Sequence, residues 1–202
     1  MIKKKAFVSI IMPYFNKKFF FKESLNSVLE QSFKNYEIII IFDSDDETDL
    51  KFINKIIKNK KFIKLIINKK NIGAGFSRNK GINIAKGKYI AFLDCDDLWK
   101  KNKLEKQIQF MKKNNSKFCH TNYYLIDENS KFYGLIKVKK ELSYSKLLNS
   151  CDIGLSTVLL DKKLLLNCKF PNLKTKEDYA LWLKLAKASI KIEGLNLNLA
   201  YW

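Results

Sequence analysis

Two carboxylates, Asp94 and Asp96, stand at positions i and i+2 directly behind the apolar run 89–93. Extended backbone there aims both side chains to one side. Paired oxygen ligands suit Mg²⁺ or Mn²⁺, which keep several waters and take further ligands from a substrate diphosphate. The spacing alone is a weak signal, because acidic triplets are common on solvated turns. Its weight comes from the company it keeps. Other apolar runs empty into Pro13-Tyr14-Phe15-Asn16, into the acidic stretch 43–49, and into Asn71-Ile72-Gly73-Ala74-Gly75. Late in the chain, Glu177 and Asp178 open a helical pattern. A carboxylate there can take a proton from an attacking hydroxyl, or it can simply favour a helix start. Arg78, the single arginine, fits a phosphate contact beside a helix N-terminus or a surface ion pair. Gly73 and Gly75 permit a turn, and Gly-x-Gly alone says little more.

The elements that must position these groups follow from periodicity. The run 36–42 contains Ile38-Ile39-Ile40-Ile41 with no polar alternation, which predicts a strand buried on both faces. A similar run covers 6–12. Between the two, Phe21, Leu25, Val28 and Leu29 recur at helical spacing and supply the crossover that parallel strands require. The pattern repeats with Leu50, Ile53, Ile56 and Ile57 on a helix, a strand over 62–67, a helix over 77–85 and a strand over 89–93. This alternation predicts a doubly wound parallel sheet, in which ligands bind beyond the carboxyl ends of the strands. The acidic and turn clusters fall at those ends.

After Asp97 the rhythm changes. Leu104, Ile108 and Met111 line a helix, 117–126 and 131–138 read as a hairpin, and 144–148 is a short helix. A strand over 157–160 and a helix over 176–188 follow. His120, the one histidine, falls inside a predicted strand and reads as a buried side chain. No linker rich in Pro, Gly or Ser interrupts the chain, so one domain over 1–202 is expected, with a ligand-binding half at 1–97 and a second half at 98–202.

Lys and Arg outnumber Asp and Glu by 39 to 20, a formal charge of +19. That excess suits a polyanionic partner, but it is nearly all Lys and is dispersed. Nucleic-acid binding would cluster it among exposed aromatics, so no nucleic acid is expected. Cys95, Cys119, Cys151 and Cys168 lie far apart and read as reduced thiols of a cytoplasmic protein. The basic start 1–5 imitates a signal peptide without a cleavage site.

Six segments carry a resemblance. Val8-Ser9-Ile10-Ile11-Met12-Pro13-Tyr14-Phe15-Asn16, Ser27-Val28-Leu29-Glu30-Gln31-Ser32, Asn71-Ile72-Gly73-Ala74, Ser77-Arg78-Asn79-Lys80-Gly81, Phe92-Leu93-Asp94-Cys95-Asp96-Asp97-Leu98-Trp99 and Glu177-Asp178-Tyr179-Ala180-Leu181-Trp182-Leu183 resemble, in order and spacing, the blocks of glycosyltransferase family 2, in the flavour of bacterial enzymes that assemble surface polysaccharides. The resemblance implies an α/β, GT-A (Rossmann-like) nucleotide-diphospho-sugar transferase fold. Its sheet would be mostly parallel, with helices on both faces and antiparallel additions in the second half. It further implies a nucleotide-sugar donor, a UDP-sugar by expectation, held by Pro13, Tyr14, Asn16, Asp43, Arg78 and Asp94. Asp96 would ligate Mn²⁺ or Mg²⁺ on the diphosphate, and Asp178, with Glu177 as the alternative, would be the base of an inverting transfer. The acceptor would be a lipid-linked or polysaccharide chain, with Ser156-Thr157 on the acceptor side or in strand packing, and the basic surface would touch an anionic inner membrane. Two departures stand out. The 43–49 turn lacks the family's Gly and is one residue longer, leaving Asp43 or Asp45 to read the base, and no late His is present to join the metal.

Overall fold

The computed structural model describes residues 6–202; the basic start at 1–5 lies outside them. The first half runs β1 (Val8–Tyr14), α1 (Lys18–Leu29), β2 (Tyr36–Phe42), α2 (Glu47–Ile57), β3 (Ile63–Ile67), α3 (Ala74–Ile84) and β4 (Tyr89–Phe92). The second half adds β5 (Leu98–Trp99), α4 (Lys103–Lys113), β6 (Phe118–Ile126), β7 (Phe132–Ile136), β8 (Glu141–Leu142), α5 (Tyr144–Asn149), β9 (Leu159–Asp161), α6 (Glu177–Lys187) and β10 (Ile192–Tyr201). All ten strands join one sheet in the order β3-β2-β1-β4-β9-β6-β10-β5, with β7 beside β6 and β8 beside β10. The first four strands pair in parallel, whereas β9 pairs antiparallel to both β4 and β6.

Strand alternation explains why both faces are covered. Ile10, Met12, Ile38 and Ile40 pack with Leu25 of α1, Ile53 of α2 and Leu104 and Ile108 of α4. Their neighbours Ile11, Ile39 and Ile41 face the other way, toward Ile82 of α3, Leu147 of α5 and Leu181 and Trp182 of α6. Every side chain from Ile38 to Ile41 is fully buried, each contributing roughly 1.5–3 kcal/mol of apolar transfer. A Cβ on Gly81 would lie 2.7 Å from Ile11 Cγ2, so glycine lets α3 settle directly on β1.

Several expected boundaries move. β1 runs to Tyr14 and includes Pro13, and α3 begins at Ala74, three residues before the predicted start. The strand expected over 157–160 is displaced to Leu159–Asp161, because Ser156 and Thr157 lie in a 3₁₀ turn, Leu155–Thr157. β5, β8 and β10 were not foreseen. β10 matters most here, since it runs parallel to β6 and its Ala200 and Tyr201 pair with Trp99 and Leu98 just behind the acidic turn.

One buried cation carries a stability prediction. Lys103 opens α4 fully buried, its ammonium 2.7 Å from Gln107 Oε1 and 4.1 Å from the Trp99 ring centroid. Burial lowers its pKa from 10.5 to about 7. The folded value lies below the unfolded one, so folding releases a proton between those limits and stability rises with pH across that window. From pH 7 to 9, urea unfolding of the wild type should gain ~2 kcal/mol relative to Lys103→Met. Parallel pH curves for the two proteins would refute this.

Candidate functional site

The carboxyl ends of β2, β1 and β4 sit side by side in the sheet, and they open on a cavity of about 450 Å³ lined by Pro13, Asp43, Asn71, Arg78, Asp94 and Asp96, among others. Behind β4 the backbone makes a tight turn instead of the expected extension, with the Asp97 N–H donating to the Asp94 carbonyl at 3.1 Å. Asp94 and Asp96 nonetheless line the same cavity.

That turn is fixed from several sides. The Asp94 N–H donates to Ser156 Oγ at 3.1 Å, and that hydroxyl in turn donates to the Asp97 carboxylate. Trp99 Nε1 donates to the Ser156 carbonyl at 2.7 Å, Ser24 Oγ to the Asp94 carbonyl at 3.1 Å, and Cys95 Sγ to the Pro13 carbonyl at 3.2 Å. Burial, reinforced by Asp94, pushes the Asp97 carboxyl well above the usual range. Ser156 is therefore a buried brace of the acidic turn. Sequence reasoning missed the parts played by Asp97, Trp99 and Ser24, although the contiguous Asp94–Trp99 block was a signal for the first two.

Arg78 lines the cavity and is not a surface ion pair. Its side chain is 5% exposed, one guanidinium nitrogen donating to Asp94 Oδ1 at 2.7 Å and the other to the Glu177 carboxylate. Its Nε is buried without a partner among the described residues. Burial works against the charge, but Asp94 and Glu177 outweigh it and raise the Arg78 pKa. The side chain thus ties β4's aspartate to the first turn of α6. Asp96 is paired differently, its Oδ2 lying 2.8 Å from Lys17 Nζ with both side chains partly exposed.

Asp43 is buried and anchors the loop before α3. Its carboxylate accepts from Asn68 Nδ2 at 2.7 Å and from the Ile72 and Gly73 N–H groups at 2.9 Å each. Gly73 adopts φ 82°, a left-handed value that glycine permits. Elsewhere in the acidic stretch, Asp46 caps α2 through the Thr48 and Asp49 N–H groups, and Asp49 accepts the Tyr14 hydroxyl at 2.6 Å. Asp45 is left exposed.

Two expected ligand contacts have protein partners of their own. Tyr14 is among the residues lining the cavity, while its ring is buried and stacked on Phe42 with centroids 5.4 Å apart. Asn16, at φ 50°, accepts from Ser44 Oγ at 2.7 Å and braces the two strand ends without lining the cavity. His120 is buried as expected, and burial lowers its pKa to about 4. Neither of its ring nitrogens has a partner among the described residues.

Asp178 follows Glu177 on α6, which starts after Lys176 in a left-handed conformation with no side-chain cap. Asp178 is not among the residues lining the 450 Å³ cavity, and its chain neighbour Glu177 pairs with Arg78. Its carboxylate accepts from the Tyr179 N–H at 2.7 Å. Burial raises its pKa, with Glu177 and Asp94 adding to the rise and Arg78 opposing it.

Among the described residues no group of three or more His, Cys, Asp or Glu side chains could hold a metal. Asp96, partly exposed at the cavity wall, suits a cation that takes one protein carboxylate and completes its shell with substrate oxygens and water.

The chain is similar to known proteins over nearly its whole length. It is 42% identical over 180 residues to the UDP-Glc:alpha-D-GlcNAc-diphosphoundecaprenol beta-1,3-glucosyltransferase WfgD of Escherichia coli, covering 89% of this chain and 70% of that one. It is 34% identical over 197 residues to the putative teichuronic acid biosynthesis glycosyltransferase TuaG of Bacillus subtilis, covering 97% and 78%. Among solved structures, S. aureus TarS 1-349 in complex with UDP superposes with a TM-score of 0.80 at 27% identity, over 98% of this chain and 60% of that one. The mannosyltransferase PcManGT of Pyrobaculum calidifontis, solved with GDP-Man and Mn²⁺, shares the fold at a TM-score of 0.69 and 14% identity over 97% and 56%. The expected GT-A fold is thereby met. The sequence model of glycosyl transferase family 2 matches residues 9–166, and with relatives at this identity over this coverage the chain belongs to that family.

Proposed function

We propose that the chain transfers a sugar from a UDP-sugar to a hydroxyl of a lipid-linked surface-glycan precursor, with inversion at the anomeric carbon. The observation that carries this reading is the single cavity in which Pro13, Asp43, Asp94 and Asp96 meet at three adjacent strand ends. Support for the donor comes from the TarS complexes with UDP and with UDP-GlcNAc. Support for the acceptor comes from WfgD and WfaP, both named for diphosphoundecaprenol substrates.

The nucleoside lies against Pro13 and Asp43. Asp43 is chosen over Asp45 because it borders the cavity and keeps one carboxylate lone pair after its three N–H donors are counted. Asp94, held by Arg78, faces the ribose side. Asp96 would hold Mn²⁺ or Mg²⁺, whose charge when bound would offset the negative charge of a diphosphate leaving group. Asp178 takes the proton of the acceptor hydroxyl, because Glu177 is already engaged by Arg78. One base without a second nucleophilic carboxylate gives one displacement. No helix among the described residues is long and apolar enough to cross a membrane, and the charge of +19 supports dwelling at an anionic inner leaflet.

A thermal-shift panel of UDP, GDP and ADP, each with and without Mn²⁺, tests the donor site. At a hundredfold excess over Kd, UDP with Mn²⁺ should raise the Tm by ~5–10 °C, and Asp96→Asn should erase the metal-dependent part. Equal response to all nucleotides, or indifference to metal, would count against the reading.

A further inference from the structure

The Lys17–Asp96 ion pair borders two cavities at once. On one side is the 450 Å³ donor cavity; on the other is a second, of about 350 Å³, edged by Phe20, Glu23, Asp127, Glu128 and Trp202. Lys17 Nζ stands 2.8 Å from Asp96 Oδ2 and is the partner Asp96 has among the described residues. An ammonium this close to Oδ2 competes with a divalent ion for the Asp96 carboxylate, because the two cations repel each other and share its negative charge.

We propose that Lys17 is the resident counter-ion of Asp96, and that loading the donor site exchanges its ammonium for the divalent cation. The inference rests on the donor-site reading above and deepens it. Exchange is easy for two reasons visible in the geometry. The pair is half-exposed, with side chains 45% and 39% accessible, and ion pairs of that kind are weak. The ammonium also has somewhere to go. Lys17 Nζ already lies 5.8 Å from the Phe20 ring centroid, and Glu23 borders the second cavity with it. Lys17 immediately precedes α1, so its backbone stays fixed while the side chain swings from one cavity to the other. The Lys17–Asp96 pair is itself neutral, and a metal arriving with its diphosphate meets less competition than a metal arriving alone, since the diphosphate offsets the charge of both cations.

The experiment is Mn²⁺ titration of the full chain, followed by the electron paramagnetic resonance signal of free Mn²⁺, for wild type, Lys17→Met, Lys17→Gln and Asp96→Asn, with and without UDP. Without nucleotide, both Lys17 variants should bind Mn²⁺ about three- to tenfold more tightly than wild type, and Asp96→Asn should bind least. Lys17 variants with unchanged melting and equal or weaker Mn²⁺ affinity would overturn the exchange. The UDP arm separates the two ideas. If UDP raises Mn²⁺ uptake equally in wild type and Lys17 variants whose nucleotide-free affinities match, the exchange fails and the donor site stands. If the variants tighten without nucleotide but UDP changes nothing in any protein, the exchange stands and the donor-site reading fails.

Discussion

Asp178→Asn is expected to lower sugar transfer by ~10²–10⁴-fold, the range a positioned general base supplies, while UDP affinity stays within about twofold. The two properties separate because Asp178 is not among the residues lining the donor cavity. Its raised pKa sharpens the expectation. Burial disfavours the carboxylate, which makes it a better proton acceptor than an ordinary aspartate. A base must be deprotonated to act, so transfer should fall on the acid side at a higher pH than an unperturbed aspartate would give, and Asp178→Asn should lack that limb. Stability tells catalysis from helix capping. A carboxylate serving only the start of α6 would cost ~0.3–1 kcal/mol when neutralised, whereas a carboxylate the fold disfavours costs nothing. Unchanged or raised melting with collapsed transfer is the expected pair of results, and a variant that keeps half of the wild-type turnover would end the assignment. Glu177→Gln offers the contrast, since it breaks the Arg78 pair and should lose stability first.

The β-α alternation of the first half was legible because its signals are local. Ile38 to Ile41 can be unbroken only where both faces are covered, and the helical spacing of Phe21, Leu25 and Val28 is confined to one element. Errors arose where a distant partner decides. Pro13 looked like a strand end, since proline cannot donate within a central strand. Yet β4 pairs with β1 only from Val8 to Ile11, so Pro13 has a neighbour on one side alone and its missing N–H leaves no gap. β10 shows a period of two in Leu195, Leu197 and Leu199, but its Asn196 and Asn198 are accommodated by Asn122 Nδ2, at 2.9 and 2.8 Å, from a strand more than seventy residues away. The acidic clusters were visible as clusters; their division of labour was not. Nothing local separates Asp43, which anchors a loop, from Asp46, which caps a helix. Lys17 was hidden by composition, one lysine in a lysine-rich chain.

Arg78→Met should destabilise the fold by ~3–5 kcal/mol, the usual cost of removing one partner from a buried ion pair, and lower the Tm by ~6–20 °C at this chain length. The guanidinium is 5% exposed and serves Asp94 and Glu177, whose side chains are 31% and 11% exposed. Glu177 is thus the carboxylate left most nearly without water or partner. Adding Glu177→Gln to Arg78→Met should therefore recover part of the loss, and the pair should show a coupling energy in a double-mutant cycle. Arg78→Lys should rescue little, because one ammonium cannot reproduce two diverging N–H donors. Arg78 is the link between the aspartate at the end of β4 and the first turn of α6, so its loss lets the donor cavity and Asp178 drift relative to one another. In a variant still folded at the assay temperature, transfer should fall more than UDP affinity does, since positioning errors weigh on the reacting geometry before they weigh on binding. Full stability in Arg78→Met, or strict additivity with Glu177→Gln, would show that the buried pair does not join the two halves of the site.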